Sequence, residues 1–438
     1  MDSSPPRPIA PAALPAAAPP EARTGSLLVI FLTVFVDLLG FGMVLPLLPV
    51  YAKHFSVTQT GWEIAALMSV FSLMQFLFAP LWGRLSDRIG RRPVLMVGLA
   101  GSVGFYTLFG IASQWESLLV LFVARIGAGI AGATIPVAQA YIADTTTLQT
   151  RAKGMALIGA AFGLGFTFGP LLAAAAMWAS ASEQAVATSP WPGYVAASLS
   201  AVALLLAVVL LPESLTVAKT HSQRWFFDTR ALGDALATPT IPALLIVSFI
   251  SVVSFGSFET TLSLLLEADF KFELYQVPLY FAYIGLVLTL AQGFLVRRLS
   301  GKVPEMTMAT VGGVVTILGF VVLIIAVGTR EKSLGLLMVA SAVEVTGFAM
   351  MTPSLQSLIS RRSDPARQGG ILGISQGTSA VARIVGPLLA IPLLHVSRQL
   401  PYGVAMGLMA AGLVCLVVGA RGGKDYGAPA EPPPPVEL

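Results

Sequence analysis

The sequence predicts an all-α membrane protein with twelve transmembrane helices. The chain is 55% hydrophobic and only 11% charged, with a mean hydropathy of +0.81, whereas soluble domains carry about 25% charged residues. Apolar runs of membrane-spanning length recur along the chain, with turn residues or charges between them. This pattern excludes the two or three soluble domains that 438 residues could otherwise form.

The apolar runs place six spans in each half of the chain. They cover 27–50, 62–82, 94–113, 117–142, 154–178, 194–212, 241–266, 277–298, 306–328, 334–358, 369–395 and 401–420. We therefore expect a first bundle at 27–212 and a second at 241–420. The linker at 213–240 contains RWFFDTRALGDAL, which is either a short amphipathic helix at the inner surface or a plain tether. Residues 1–26 and 421–438 are rich in Pro and Ala and predict disordered cytoplasmic tails.

Basic residues predict the orientation. Fifteen Lys and Arg residues lie in the loops after even-numbered spans, against five in the loops after odd-numbered spans. This asymmetry places the first set of loops and both termini in the cytoplasm of a multi-pass plasma (inner) membrane protein. The net charge of +4 is thus a topology signal and gives no basis for a nucleic-acid partner.

Residue types argue against an enzyme or a metal site. The single cysteine, Cys415, permits neither a disulfide within the chain nor a cysteine metal site. A Walker motif for nucleotide binding and the H-E-x-x-H signature of metalloproteases do not occur. We expect no cofactor, and a monomer whose partners are the bilayer, protons and a small-molecule substrate.

A charge-dense segment, GRLSDRIGRR at 83–92, separates the second and third spans. Its charges cannot lie in hydrocarbon, so it predicts a tight aqueous turn. The pattern closely resembles the loop signature between the second and third helices of the major facilitator superfamily. RLSDRIG at 84–90 also aligns with RLSGKVP at 298–304, an offset of 214. The resemblance implies two six-helix bundles with substrate bound between them at mid-depth.

The second copy of this segment has lost its acid, since Gly301 stands where the first copy has Asp87. In the superfamily that the segment resembles, this aspartate helps to latch the two halves together. We expect Asp144 to pair with Arg84 or Arg88; the alternative is a solvated turn that only sets topology. The predicted conformational latch consists of Gly83, Arg84, Asp87, Arg88, Gly90, Arg91, Arg92 and Asp144.

Ionisable residues within spans are costly, by about 2.5–3.5 kcal/mol each if they face lipid. Asp37 begins the pattern D-x-x-G-x-x-x-x-x-P-x-x-P, which resembles the first-helix signature of twelve-span drug:proton antiporters. Arg125 begins R-x-x-x-G-x-x-x-A, which resembles their fourth-helix signature. A carboxyl that alternates between dry and charge-paired surroundings can take and release a proton. We assign proton coupling to Asp37 and Arg125; the alternative is a permanent structural ion pair.

Other polar residues within the spans are candidates for the substrate cavity. Glu344 and Arg383 could form a structural ion pair, they could recognise the charge of the substrate, or they could have neither role. Glu259 could face a wet vestibule. The glutamines could bind substrate or simply bridge helices. The cavity candidates are Gln75, Gln139, Glu259, Gln292, Glu344, Gln376 and Arg383.

The fifth span contains GAAFGLGFTFGP, in which Gly165 and Gly169 precede Pro170. Glycines four apart let helices approach closely, and proline permits bending. The segment resembles an antiporter signature of the superfamily, although Ala173 and Ala174 replace its last two glycines. It predicts a helix-bending motif; ordinary tight packing is the alternative.

These resemblances together imply proton-coupled efflux, by antiport, of a small amphiphilic organic compound or drug. The patterns are most similar to those of tetracycline-type and multidrug exporters. One alternative is proton-coupled uptake of a sugar or organic anion by symport. An alternative of another class is a non-transporting membrane receptor.

Overall fold

The computed structural model describes residues 24–55, 61–146, 151–179, 188–215, 229–364, 368–420, 422–423 and 425–426. Within these ranges the regular structure is helical and contains no strand. Twelve helices in the described part of the chain are long and apolar enough to cross a membrane. The predicted fold class and number of spans are confirmed.

We number the spanning helices α1 to α12. Three of them are composite. Helix α1 comprises Thr24–Val44, a 3₁₀ turn at Leu45–Leu47 and Leu48–Phe55, and α4 comprises Leu118–Ala131, a 3₁₀ turn at Gly132–Thr134 and Ile135–Thr145. Helix α8 comprises Gln276–Leu290, a π-helical segment at Ala291–Val296 and Arg297–Leu299. The others are α2 Trp62–Ile89, α3 Arg91–Gln114, α5 Arg151–Ala179, α6 Trp191–Leu210, α7 Ile241–Ala268, α9 Glu305–Gly328, α10 Leu334–Arg362, α11 Gln368–Val396 and α12 Leu400–Ala420.

The segment 83–92 is helical almost throughout, so the prediction of a ten-residue turn is wrong. Helix α2 continues to Ile89 and α3 begins at Arg91, which leaves Gly90 alone between them. Gly90 has φ 107° and ψ 156°, a conformation that glycine adopts at little steric cost. A helix that continues past the hydrocarbon keeps its backbone hydrogen bonds while its arginines reach water.

The 3₁₀ turn in α4 is stabilised by side chains of α2. Pro136 follows the turn and cannot donate a backbone hydrogen bond, so the regular α-helical pattern is interrupted. The indole Nε1 of Trp82 donates to the carbonyl of Ile130 at 2.7 Å, and Nε2 of Gln75 donates to that of Gly132 at 3.3 Å. These bonds satisfy carbonyl groups at the break and hold α2 against α4.

The two bundles repeat the same helix pairings. In the first bundle α1 packs against α5 and α6, and α3 packs against α4 and α6; in the second, α7 packs against α11 and α12, and α9 against α10 and α12. Each second-bundle pair is the first-bundle pair shifted by six helices. The bundles meet through α5 with α8 and α2 with α11. The repeat inferred from 84–90 and 298–304 is therefore present in the packing.

We call the end of the bundle that carries Gly90 and Ser300 the basic face, and the other end the opposite face. One buried apolar cluster lies towards the opposite face and contains residues of both bundles, from Tyr51 and Phe109 to Phe258 and Phe320. Towards the basic face each bundle has a separate cluster. The halves are thus joined at the opposite face and have separate cores at the basic face.

The structure corrects both predicted tails at their inner ends. Helix α1 already begins at Thr24, within the predicted tail 1–26. In the predicted tail 421–438, the N–H of Tyr426 donates to the carbonyl of Arg361 at 2.9 Å, so this part of the chain binds to α10. The rest of both tails, and residues 216–228 of the linker, lie outside the described residues. The linker contains a helix, Thr229–Ala237, that packs against α11 and buries Ala235.

Candidate functional site

Asp37 lies in the middle of α1, half-buried within the first bundle. The hydroxyl of Ser200, on α6, donates a long hydrogen bond of 3.4 Å to its Oδ1. Ser102, on α3, bonds to the same carboxyl group. Hydroxyl groups can serve a carboxyl group in either protonation state, because they both donate and accept. The pocket around Asp37 can therefore hold an acid or a carboxylate without rearranging its helices.

Arg125 lies in α4 and is only 2% exposed. Its Cζ sits 4.3 Å from the centroid of the Phe71 ring, in a cation–π contact with α2. Neither Nε nor Nη1 has a hydrogen-bond partner among the described residues. A buried guanidinium with unused donors can bind an anion or a water molecule that reaches it.

Asp37 and Arg125 form no ion pair in the described part of the chain. Tyr106 of α3 lies within electrostatic range of both. A Cβ at Gly40, one turn after Asp37, would lie 3.1 Å from the Tyr106 ring. The phenol is thus the group that connects the surroundings of the acid and the base, which the sequence analysis did not identify.

The second bundle contains two acids and one base at membrane depth. Arg383 of α11 has an exposed side chain, and Gln376, two turns earlier, is exposed on the same face. Glu259 of α7 lies within electrostatic range of Arg383 and of Glu344 on α10. Glu344 is 0% exposed, and both of its carboxylate oxygens lack a hydrogen-bond partner among the described residues. The alternative of a Glu344–Arg383 pair is therefore wrong.

The polar residues around Glu259 do not form a wet vestibule. Ser257 donates to the carbonyls of Val253 and Gly386, and the hydroxyl of Thr261 bonds to that of Tyr402 at 2.9 Å. These side chains are buried and connect α7 to α11 and α12. They serve helix packing.

The glutamines divide into two groups. Gln75 bridges α2 and α4, and Gln356 donates to the Ser375 hydroxyl at 3.0 Å, bridging α10 and α11. Gln139 is half-buried on α4, and Gln292 lies in the π-helical segment of α8. Of these five glutamines, Gln376 is the exposed one.

Arg91 is the centre of the predicted latch. Its Nη2 lies 2.6 Å from Asp87 Oδ1, its Nε lies 3.1 Å from Asp144 Oδ2, and its Nη1 donates to Ser86 Oγ at 2.6 Å. The side chain is only 4% exposed. These contacts correct the expected pairing of Asp144 with Arg84 or Arg88. They also lie within the first bundle, so in this conformation Arg91 joins α3 to α2 and α4, and the contact of Asp87 with Arg91 does not connect the two halves.

Glu213, which the sequence analysis missed, binds the beginning of α3. Its carboxylate accepts from the backbone N–H groups of Arg91 at 2.9 Å and Arg92 at 3.1 Å. A carboxylate at a helix N-terminus satisfies free N–H groups and complements the helix dipole. The side chain of Arg92 donates to the carbonyl of Val208 at 2.5 Å, which also holds the start of α3 against the end of α6. Gly90 adjoins Glu213 so closely that a Cβ would overlap Oε2.

The second bundle has an equivalent cluster with the charges exchanged. Glu305 stands 214 positions after Arg91, the offset of the repeat, and Arg361 lies near the end of α10 as Asp144 lies near the end of α4. Arg361 Nη1 lies 2.6 Å from Glu305 Oε1, and its Nε donates to Asp425 at 3.0 Å. The Arg361 side chain is 50% exposed, so this cluster contributes little stability compared with the buried Arg91.

An ion pair also crosses between the halves at the opposite face. Lys53 Nζ of α1 lies 2.9 Å from Glu267 Oε2 of α7, and His54 Nε2 lies 3.3 Å from Oε1. Lys53 and Glu267 are themselves 214 positions apart, the offset of the repeat. Nearby, Ser69 Oγ donates to the carbonyl of Ile384 at 2.7 Å, joining α2 to α11.

The glycines of α5 bring it close to two neighbouring helices. A Cβ at Gly42 would lie 2.5 Å from the carbonyl oxygen of Gly165, and one at Gly169 would lie 2.8 Å from that of Leu39. On another side of α5, Thr167 and Thr289 hydroxyls meet at 3.0 Å, between the two bundles. The segment therefore provides tight packing; bending at Pro170, which lies inside the helix, stays a prediction.

The chain is similar to known proteins over most of its length. Residues 30–387 match the family model of the Major Facilitator Superfamily. The chain is 32% identical over 400 residues to the tetracycline resistance protein, class C, of Escherichia coli, covering 91% of this chain and 97% of that protein. It is 32% identical over 422 residues to the major facilitator superfamily domain-containing protein 10 of Bos taurus, covering 85% and 87%.

Solved structures show the same fold. The crystal structure of the human organic anion transporter MFSD10 (TETRAN) aligns with a TM-score of 0.67 at 26% identity, covering 91% of this chain and all of that one. A D-xylose-proton symporter aligns with a TM-score of 0.72 at 14% identity, covering 91% and 98%. The twelve helices in two repeated bundles, the family match and these relatives agree: the chain is a transporter that belongs to the Major Facilitator Superfamily.

Proposed function

We propose that this transporter exports a small amphiphilic organic compound or drug in exchange for protons. The observation that carries the proposal is Asp37, an acid at membrane depth that accepts a hydrogen bond from Ser200, in the same bundle as the buried Arg125. The tetracycline resistance relatives support the efflux direction. Protons would bind at Asp37, and Arg125 would tune that binding.

The substrate would bind between the two bundles. Arg383 and Gln376 of α11 are exposed at membrane depth, and Glu259 lies beside Arg383. Three aromatic rings of the first bundle pack together: Phe41 lies against Phe71 with centroids 5.1 Å apart and against Phe166 at 5.9 Å. A cavity with aromatic surface and a few charges suits an amphiphilic molecule.

A test uses the purified chain in proteoliposomes with an imposed pH gradient and a panel of cationic, zwitterionic and anionic amphiphiles, tetracycline among them. We expect at least one compound to be concentrated inside vesicles only while the gradient lasts, with proton movement in the opposite direction. Concentration with protons moving in the same direction as substrate would establish symport instead and overturn the proposal.

The second candidate is transport of an organic anion, including proton-coupled uptake. The exposed guanidinium of Arg383 favours it, because it offers a cation to an anionic substrate. A solved relative is described as a human organic anion transporter. The same vesicle panel separates the candidates, since Arg383→Gln would abolish transport of anions but spare that of cations.

The proposed orientation places the basic face and both termini in the cytoplasm of the plasma membrane, with the chain acting as a monomer. The described conformation, with its halves joined at the opposite face, would then be open to the cytoplasm. That is the state in which an exporter takes up its substrate.

Cysteine labelling tests this orientation. Ser300 at the basic face and Ser397 at the opposite face are both exposed. In a Cys415→Ala background, we expect Ser397→Cys to react with a membrane-impermeant maleimide in intact cells, and Ser300→Cys to react only after permeabilisation. Reaction of Ser300→Cys in intact cells would reverse the orientation.

The Lys53–Glu267 pair is expected to hold the opposite face closed. Lys53→Glu or Glu267→Lys places like charges together and should change the transport rate several-fold, because exposed pairs contribute up to about 1 kcal/mol. The double exchange Lys53→Glu with Glu267→Lys should return the rate to within about twofold of the original. His54 is unchanged in all three variants. A double variant as impaired as the singles would show that the pair is not the closing contact.

A further inference from the structure

Glu344 is held in a fixed position inside the second bundle. A Cβ at Gly319 of α9 would lie 2.5 Å from the backbone nitrogen of Glu344 and 2.7 Å from its Cβ. This close approach of α9 and α10 fixes the backbone of Glu344 against α9. The residue is 0% exposed, and neither carboxylate oxygen has a hydrogen-bond partner among the described residues.

Aromatic contacts enclose this carboxyl group on both sides. One turn nearer the basic face, Phe348 stacks on Phe255 of α7 with centroids 4.1 Å apart. One turn nearer the opposite face, the hydroxyl of Ser341 bonds to that of Tyr280 on α8 at 2.9 Å. Phe255 is also one turn from Glu259 on the basic-face side. The carboxyl groups of Glu344 and Glu259 are thus placed at one level between α7 and α10.

The charged and titratable groups around Glu344 come from four helices. Glu259 approaches from α7, and Arg383 of α11 lies within range of Glu259. Helix α8 contributes the phenols Tyr280 and Tyr283, of which Tyr283 donates to the carbonyl of Met338 at 3.0 Å. Helix α9 contributes the buried hydroxyl of Thr316, while its acid, Glu305, lies at the basic face. The guanidinium of Arg383 thus lies within range of the Glu259 carboxyl group, whereas the charged group shown within range of Glu344 is the acid Glu259.

An ionised carboxyl group without a partner in such surroundings is strongly unfavourable, whereas the neutral acid avoids most of the desolvation cost. Arg383 can neutralise Glu259, but the enclosed Glu344 has no cation of its own. We propose that Glu344 carries a proton in this conformation and is a second proton-binding site, in the half of the molecule that lacks Asp37.

The proton on Glu344 is exchanged only when the aromatic enclosure opens. In the exchange, the O–H bond of Glu344 breaks, the proton passes to a water molecule or to the ionised Glu259, and the negative charge stays on Glu344. Movement of Phe348 away from Phe255 would open the route from the basic face. The role of this site in transport rests on the proposed proton coupling, but its protonation does not.

Infrared difference spectroscopy of the purified full-length protein tests the inference without transport. At neutral pH we expect a carbonyl stretch of a protonated carboxylic acid in an apolar environment, which the isosteric Glu344→Gln removes and Asp37→Asn retains. A spectrum in which Glu344→Gln leaves every protonated-acid band unchanged would overturn the inference. Persistence of the band in a protein that moves no protons in vesicles would refute the proposed function alone.

A second variant keeps the test informative if Glu344→Gln does not fold. Phe348→Leu removes the stacked ring but keeps an apolar side chain, and it should speed hydrogen–deuterium exchange of the carboxylic-acid band by about tenfold. Leu318→Ala, at an exposed site on α9, is the matched control and should leave exchange unchanged. An unchanged exchange rate in Phe348→Leu would show that the enclosure does not protect a proton at Glu344.

Discussion

Asp37→Asn is expected to abolish concentrative transport while it preserves downhill exchange of substrate. Asn has nearly the shape of Asp and can still accept from Ser200, but it cannot take up and release a proton. One charge moving through 100 mV supplies about 2.3 kcal/mol, which supports accumulation of roughly 40-fold. A transporter without its proton site loses this source of free energy and can only equilibrate its substrate.

Substrate-driven proton flux and substrate accumulation in proteoliposomes measure this effect. Ser200→Ala is the matched control, because it removes a long hydrogen bond of 3.4 Å but keeps the carboxyl group. It should reduce accumulation by less than about tenfold, the equivalent of one ordinary hydrogen bond. Proton flux that is unchanged in Asp37→Asn would move the coupling site to Glu259 or Glu344.

The spans could be predicted from the sequence because hydropathy is a local property. Each run of apolar residues is long enough to identify a helix whatever its neighbours are. The ends were less certain, and the segment 83–92 shows why. Its charges correctly indicate that it lies outside hydrocarbon, but charge does not end a helix, and α2 continues to Ile89.

The partners of charged residues could not be predicted in the same way. Glu213 and Arg91 are 122 positions apart, and their contact depends on how α6 ends beside the start of α3. Likewise, Arg125 was expected beside Asp37, yet its guanidinium lies over Phe71 and Tyr106 lies near both. A membrane-embedded charge predicts that a partner exists, but packing decides which group it is.

The repeat explains one feature that neither half shows alone. Two positions carry opposite charges in the two copies at the repeat offset of 214: Lys53 with Glu267, and Arg91 with Glu305. Where equivalent residues of the two bundles lie near the pseudo-twofold axis that relates them, they approach each other, and like charges there would repel. Exchange of charge turns that repulsion into attraction, and the Lys53–Glu267 contact of 2.9 Å at the opposite face is one such pair.

Arg91 is the place where loss of a charge should do most damage to the first bundle. Arg91→Gln would leave Asp87 and Asp144 close together without the guanidinium that now lies between them. Breaking a buried charge network costs about 3–5 kcal/mol, and partial exposure of both acids reduces this to roughly 2–3 kcal/mol. We expect a lower melting temperature of the purified protein and almost complete loss of transport, because α2, α3 and α4 would no longer move as one body.

Arg361→Gln is the matched control in the second bundle, since Arg361 bridges Glu305 and Asp425 but is half exposed. It should lower stability by less than about 1 kcal/mol and retain most transport. Asp87→Asn should fall between them: Arg91 keeps Asp144, so the melting temperature should stay near that of the original, while transport slows because the balance between conformations changes. Normal transport in both Asp87→Asn and Arg91→Gln would mean that the charges of this segment only determine topology, and that the rigidity of the first bundle comes from apolar packing alone.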